Sequence, residues 1–303
     1  MLNILSDYFQ PRSKIKDEVR VIDTLNNDDT VDYHDFHFFQ FSNVKLLEEI
    51  NLGAKSLLKQ SLKEDLLNGL EFNGYVQTMN SLLNDMVQII DSELPLYAKQ
   101  LDADAIIKLL GVDFELSEDN SYDFVSKQLL AIFPVLKTAI KKQAKKTPVL
   151  VYHYPENLLS PREQVAFKAE LDACAAEMKI IVLTKSRYFL ADEVHGNNVI
   201  ANGKQVITHS FLESLRWHAP LDYGKDELEE ALTKLLKAYA MNLETVPVIS
   251  NYEIADIHVF RDVDIYVLVY LLAELQFKFK LDLDYDRISA PISKYVQRYE
   301  KFS

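Results

Sequence analysis

The sequence predicts an α/β protein: a head built on a small parallel sheet, a helical leg inserted into that head, and a mixed α/β extension at the C-terminus. Three observations predict it. Two continuous apolar runs, VLVY at 149–152 and IIVL at 180–183, flank a capped helical stretch, the pattern of parallel strands covered on both faces and joined by a crossover. Glycine and proline are scarce, 7 and 9 residues in 303, which favours helices over a turn-rich all-β chain. Past residue 200, amphipathic and fully apolar stretches continue to alternate with short strand patterns. The expected division is a head from 1–70 and 148–200, a leg from 71–147 and an extension from 201–303.

Along the chain, VRVI at 19–22 and the aromatic run HDFHFFQF at 34–41 read as strands, since aromatic side chains suit a pleated surface. One helix is expected over 43–67, with Leu46, Ile50, Ala54 and Leu57 on its apolar side and Lys55, Lys59 and Lys63 recurring every fourth residue. A second follows over 74–91, carrying Met79, Leu83, Met86 and Ile90 at helical spacing. A short helix over 102–110 is expected to end on Gly111 as its cap. A long helix starts near Ser121, with Pro134 expected to kink it.

The βαβ stretch is the clearest local signal. Ser160, Pro161 and Glu163 form a capping box with proline at the first helical position, and Phe167, Leu171, Cys174 and Met178 make one stripe facing the sheet. Beyond it come an amphipathic helix over 224–241, a short strand at 246–249 and a buried helix over 262–274. A strictly alternating run over 276–286 reads as a half-buried strand, and a last helix covers 290–301.

Charge and cysteine content narrow the function classes. A net charge of −13, from 46 acids and 33 bases, argues against a general polyanion binder but leaves room for one basic channel. The single cysteine, Cys174, allows no internal disulfide. No basic leader precedes Asp7, and the longest apolar run, 265–273, is far short of the roughly 20 residues a membrane span needs. A cytoplasmic protein without membrane attachment is expected.

The local reversal of sign is the main site signal. Lys137, Lys141, Lys142, Lys145 and Lys146 crowd ten residues that hold no acid, on the half of the helix opposite Phe133, Leu136, Ile140 and Ala144. A solvated helix face accounts for such a stripe; so does a surface that neutralises duplex phosphates. Lys55, Lys59 and Lys63 form a weaker stripe, diluted by Glu48, Glu49, Glu64 and Asp65. Enzymatic motifs are poor. The nearest approach to a phosphate-binding glycine loop, 196–205, has six residues between its glycines, and Gln205 replaces the hydroxyl that would hold magnesium. Asp282, Asp284 and Asp286 open like a calcium loop, yet Arg287 stands where its glycine belongs and Ser293 where its glutamate belongs. His34, His37, His153, His195, His209, His218 and His258 show no zinc spacing, and no serine or cysteine nucleophile motif is present.

From about 80 to 189 the chain shows, in order, SLLNDMVQIID, LDADAIIKLLGVDFEL, a helix ending in IKKQAKK, the strand VLVYHY, a helix beginning at SPREQ, and KIIVLT followed by Lys185 and Arg187. This order of features resembles the Csn family of CRISPR-associated adaptation proteins of type II-A loci, in its long-form subfamily. The resemblance implies a head related to P-loop ATPases that has lost its nucleotide site, a helical leg, and a tetrameric ring with a lysine-lined hole. It further implies calcium binding, sequence-independent binding of double-stranded DNA ends without enzymatic activity, and a role in spacer acquisition and antiviral defence. The implied partners are the other adaptation proteins and the type II-A nuclease. Lys141, Lys142, Lys145 and Lys146 match the family's basic helix end; the calcium ligands stay unassigned. Two alternatives remain at this point: a divergent nucleotide hydrolase dependent on Lys204, and an acidic protein-interaction scaffold that makes no DNA contact.

Overall fold

A computed structural model describes residues 2–10, 12–23, 29–114, 124–201 and 204–299. The chain divides into two compact units, one of Ser6–Val19 and Asp32–Leu183, the other of Met1–Leu5, Arg20–Val31 and Thr184–Ser303. It opens with helix α1 (Leu2–Tyr8) and a short antiparallel pair, β1 (Ile22–Asp23) and β2 (Asp29–Thr30).

The first unit holds a three-stranded, wholly parallel sheet. Strand β3 (Phe36–Ser42) is followed by helices α2 (Asn43–Glu49), α3 (Leu57–Asn68), α4 (Phe72–Ile89), α5 (Ala103–Ile107) and α6 (Phe124–Gln143). Then come β4 (Thr147–His153), α7 (Pro161–Cys174) and β5 (Lys179–Leu183). The strand order is β3-β4-β5, with Phe36 opposite Thr147 and Val149 opposite Lys179. As the continuous apolar run requires, the central strand is buried from Val149 to Tyr152. The capping box at Ser160 is present, its backbone N–H donating to Glu163 Oε2 at 2.7 Å. The stripe Phe167, Leu171, Cys174 and Met178 is buried as expected. Phe167 lies edge-on to Phe133 of α6 and Tyr152 of β4, at 5.3 and 5.2 Å between ring centres.

Asn43, only 1% exposed, joins three segments at the carboxyl end of this sheet. Its amide Nδ2 donates to the Pro155 carbonyl at 2.9 Å and also to that of Asn157, while its Oδ1 accepts from the Tyr152 hydroxyl at 2.8 Å. Ser42 ends β3 and caps α2 at once, accepting from the Lys45 N–H. The strand therefore passes into its helix without an intervening loop, glycine-rich or otherwise.

Four sequence expectations are corrected here. The helix expected over 43–67 is two helices, because Leu52 adopts a positive φ of 48° and Ser56 restarts the chain as an N-cap. The buried Glu49 carboxylate completes that restart, accepting from Ser56 Oγ at 2.7 Å and the Leu58 N–H at 3.0 Å. Gly111 caps nothing: α5 ends at Ile107, and the amides of Leu109 and Leu110 fold back onto Ile106 and Ile107. Lastly, α6, expected to belong to a leg, buries Leu129, Ile132, Phe133, Leu136 and Ile140 and packs against α2, α3 and α7 in the core of this unit. It runs through Pro134, which sits on its exposed side; the start expected near Ser121 lies outside the described residues.

By contrast, α4 buries no side chain. Tyr75, Met79, Leu82, Met86 and Ile89 stand exposed at alternating spacings of four and three residues, the period of a coiled-coil seam.

The second unit has its own parallel sheet. The antiparallel pair β6 (Ile200–Ala201) and β7 (Lys204–Gln205) precedes α8 (His209–Trp217), which the sequence reading missed, and α9 (Lys225–Tyr239). Then follow β8 (Val248–Ser250), β9 (Ile257–His258), α10 (Asp262–Glu274), β10 (Lys280–Asp282) and α11 (Ala290–Val296). The order is β10-β8-β9, and α10 is buried without a break from Val263 to Leu272. The fourth correction falls here. The alternating run over 276–286 pairs with β8 only from Lys280 to Asp282, since Gln276 has φ of 57° and Asp284 caps a 3-10 turn over Tyr285–Arg287.

Removing the Asn43 amide leaves the Pro155 carbonyl and the Tyr152 hydroxyl unpaired in the interior, and the Asn157 carbonyl unpaired at its edge. We expect Asn43→Ala to cost about 2–3 kcal/mol, read as lost hydrogen-exchange protection of the β3 and β4 amides with little change in the second unit.

Candidate nucleic-acid interface

The carboxyl end of α6 carries Lys137, Lys141 and Lys142, and Lys145 and Lys146 follow in the turn that enters β4. Lysines in a last helical turn complement its unpaired carbonyls, so the helix end itself favours their charge. Successive residues differ by about 100° around the axis, and the ammonium groups diverge accordingly rather than gathering on one wall. Lys137 and Lys141 turn toward the end of α7 and share Glu177, at 3.2 Å to one carboxylate oxygen and 2.6 Å to the other. Lys142 turns toward α3 and donates to both oxygens of Asp65, at 2.8 and 2.7 Å. Lys146 reaches the Tyr33 carbonyl at 3.3 Å.

The second expected stripe is altered by the break between α2 and α3. Lys55 lies in the turn before α3, so only Lys59 and Lys63 share a helix face. Both are directed at Asp104 of α5, Lys59 at 3.5 Å and Lys63 in a closer contact. Among the described residues no carboxylate pairs with Lys55 or Lys145, and both side chains are exposed.

These pairs shift titration in the directions their contacts require. Hydrogen bonds from Lys141 and then Lys137 hold the Glu177 carboxyl below its usual range, and Glu177 in turn raises Lys137. The bond from Lys63 lowers Asp104. All of these groups are open to water, where ion pairs are weak and screened by salt.

At the amino end of the first sheet the lysines act on a histidine. His37, half-buried on β3, is held below its usual value first by burial, then by the charges of Lys146 and Lys145. Asp32 nearby accepts from the His34 N–H at 2.7 Å and is lowered mainly by that bond, with a smaller contribution from Lys146. Sequence reasoning found the lysines but not their partners. Glu177 lies 40 and 36 residues from Lys137 and Lys141, and Asp104 45 and 41 residues from Lys59 and Lys63, and no local pattern marks either of them.

The remaining motifs are occupied structurally. Gly196 sits where a Cβ would come within 2.6 Å of the Ala191 Cβ, so close packing accounts for it. The segment after it forms the β6–β7 pair rather than a strand-to-helix loop, and Asn202 and Gly203 lie outside the described residues. Asp282 accepts from the Tyr252 hydroxyl at 2.8 Å and Asp284 pairs with Arg287 at 2.9 Å. Cys174 is buried, its Sγ donating to the Glu170 carbonyl, and burial raises the thiol. Among the described residues no group of three His, Cys, Asp or Glu side chains could hold a metal ion, and no helix is long and apolar enough to cross a membrane.

No family model matches the chain, and no curated protein matches it. Among solved structures, the crystal structure of Stu0660 of Streptococcus thermophilus is similar, with a TM-score of 0.57 and 16% identity, over 98% of this chain and 90% of that one. At that identity the likeness is one of fold, and it extends through both units.

Because His37 is depressed in the folded chain, its unfolded form takes up a proton first as pH falls through 6.5. Its contribution to stability is therefore complete above that pH and is lost between 6.5 and its lower folded value. Replacing Lys145 and Lys146 by glutamine should move the His37 midpoint upward in an NMR titration of the imidazole, with Lys146 having the larger effect.

Proposed function

We propose that this protein binds duplex DNA without sequence preference through the lysines at the end of α6, as a homo-oligomer and without covalent chemistry. The observation that carries this reading is the unbroken basic segment from Lys137 to Lys146 in a chain of net charge −13. Lys137, Lys141 and Lys142 are held by exposed carboxylates they can exchange. An exposed lysine–carboxylate pair is worth about 0–1 kcal/mol, whereas DNA presents closely spaced phosphates whose bound counterions are released on contact. Lys141 and Lys142, with side chains 51% and 43% exposed, can change partner at little cost.

Resemblance to the CRISPR-associated Csn proteins of type II-A loci supplies the biological setting. In that setting the protein assists spacer acquisition in the cytoplasm, alongside the other adaptation proteins and the nuclease. The likeness of fold to Stu0660 supports a shared architecture through both units. Under this reading the first sheet is the core of a head that has lost its nucleotide site, and the direct passage of β3 into α2 favours that over a nucleotide hydrolase. Calcium belongs to the resemblance alone. Among the described residues no group of three His, Cys, Asp or Glu side chains could hold it, and no ligands are assigned.

The exposed seam on α4 supports the oligomer. Five large apolar side chains at coiled-coil spacing on a helix that buries nothing call for a matching helix, and a second copy of the chain supplies one with the same period.

Titrating unrelated duplexes by fluorescence anisotropy should give similar affinities whose logarithm falls with log salt at a slope of about −3 to −4, as four phosphate contacts require. Replacing Lys141, Lys142, Lys145 and Lys146 by glutamate should lower affinity by at least about 100-fold at low salt; a scaffold without DNA contact would be unaffected. Independently, replacing Met79 and Met86 by glutamate should reduce the sedimenting mass while the circular dichroism spectrum is kept.

A further inference from the structure

We propose that Glu177 and Asp65 are built-in competitors of DNA, holding the α6 lysines in the free protein and setting how tightly a duplex is bound. This rests on the DNA-binding reading above and adds to it the residues that tune its affinity.

The geometry is that of a phosphate mimic. Glu177 stands in the turn beyond α7, with one oxygen 3.2 Å from Lys137 Nζ and the other 2.6 Å from Lys141 Nζ. One anionic group thus bridges two ammonium groups a helical turn apart, as a phosphate would. Asp65 presents both oxygens to Lys142 from the opposite side, on α3. The three lysines that the helix end turns outward are therefore engaged by two acids from outside α6, while the α6 segment that bears them has none of its own.

Neither acid is needed for packing. Glu177 and Asp65 side chains are 36% and 55% exposed, and neither carries a cap or joins buried residues. Binding a duplex must break these contacts, and each freed carboxylate then recruits a cation. The wild-type protein should accordingly release about one cation fewer per carboxylate than a variant lacking it.

The experiment compares wild type, Glu177→Gln, Asp65→Asn and Asp172→Asn by fluorescence anisotropy on one duplex across a salt series. Asp172 is the control: it lies on α7 and pairs with Lys168, so its loss removes the same charge without freeing an α6 lysine. The proposal expects Glu177→Gln to bind about three- to tenfold tighter at low salt, with a steeper salt slope, Asp65→Asn to show a smaller gain in the same direction, and Asp172→Asn to match wild type. Equal affinities for wild type, Glu177→Gln and Asp65→Asn overturn the competitor role and leave DNA binding standing. A gain in Asp172→Asn as large as that in Glu177→Gln overturns it too, since general charge would then suffice. No binding by any of the four proteins overturns both readings together.

Discussion

Everything in the first unit depends on one buried polar junction. Where β3 passes into α2 there is no loop to satisfy the neighbouring backbone, and the segment leaving β4 turns inward beside it. Asn43 resolves both problems by donating to Pro155 and Asn157 while Tyr152 donates to it. A buried carbonyl left alone costs as much as a lost hydrogen bond, so the amide is what permits so tight a passage. The consequence reaches α6, because Tyr152 also forms part of the aromatic contact that seats α6 and α7 on the sheet. The position of the lysine-bearing helix end thus follows from a side chain that touches no lysine.

Much of this fold was legible because its signals are local. The run from Val149 to Tyr152, the Ser160 box and the apolar helix Asp262–Glu274 each need only their own neighbours to specify structure. The failures share a different character. The break after α2 depends on Glu49 capping a helix eight residues ahead, which no period reveals. The alternation over 276–286 is real, but β8 offers a partner to only three of those residues. Strand length there is set by the neighbouring strand rather than by the pattern.

The candidate site was half legible for the same reason. A count of charges along α6 finds the lysines. It cannot place Glu177, Asp65 or Asp104 against those lysines, because they arrive from other elements; the sequence suggests two cationic stripes, and in the structure three carboxylates engage five of their lysines. An acidic protein keeps such a cluster without strong self-attraction by pairing it where water still reaches.

The bare seam along α4 sets a different physical regime from the lysines. Contacts between apolar surfaces weaken on cooling and strengthen in excluded salts, while attraction between ammonium and phosphate fades as ions accumulate. Subunits joined through Met79, Leu82 and Met86 would come apart in the cold yet hold together in brine, whereas a bound duplex would leave in brine. Under the proposed function, temperature and ionic strength would thus be separate handles, one on subunit association and one on the duplex.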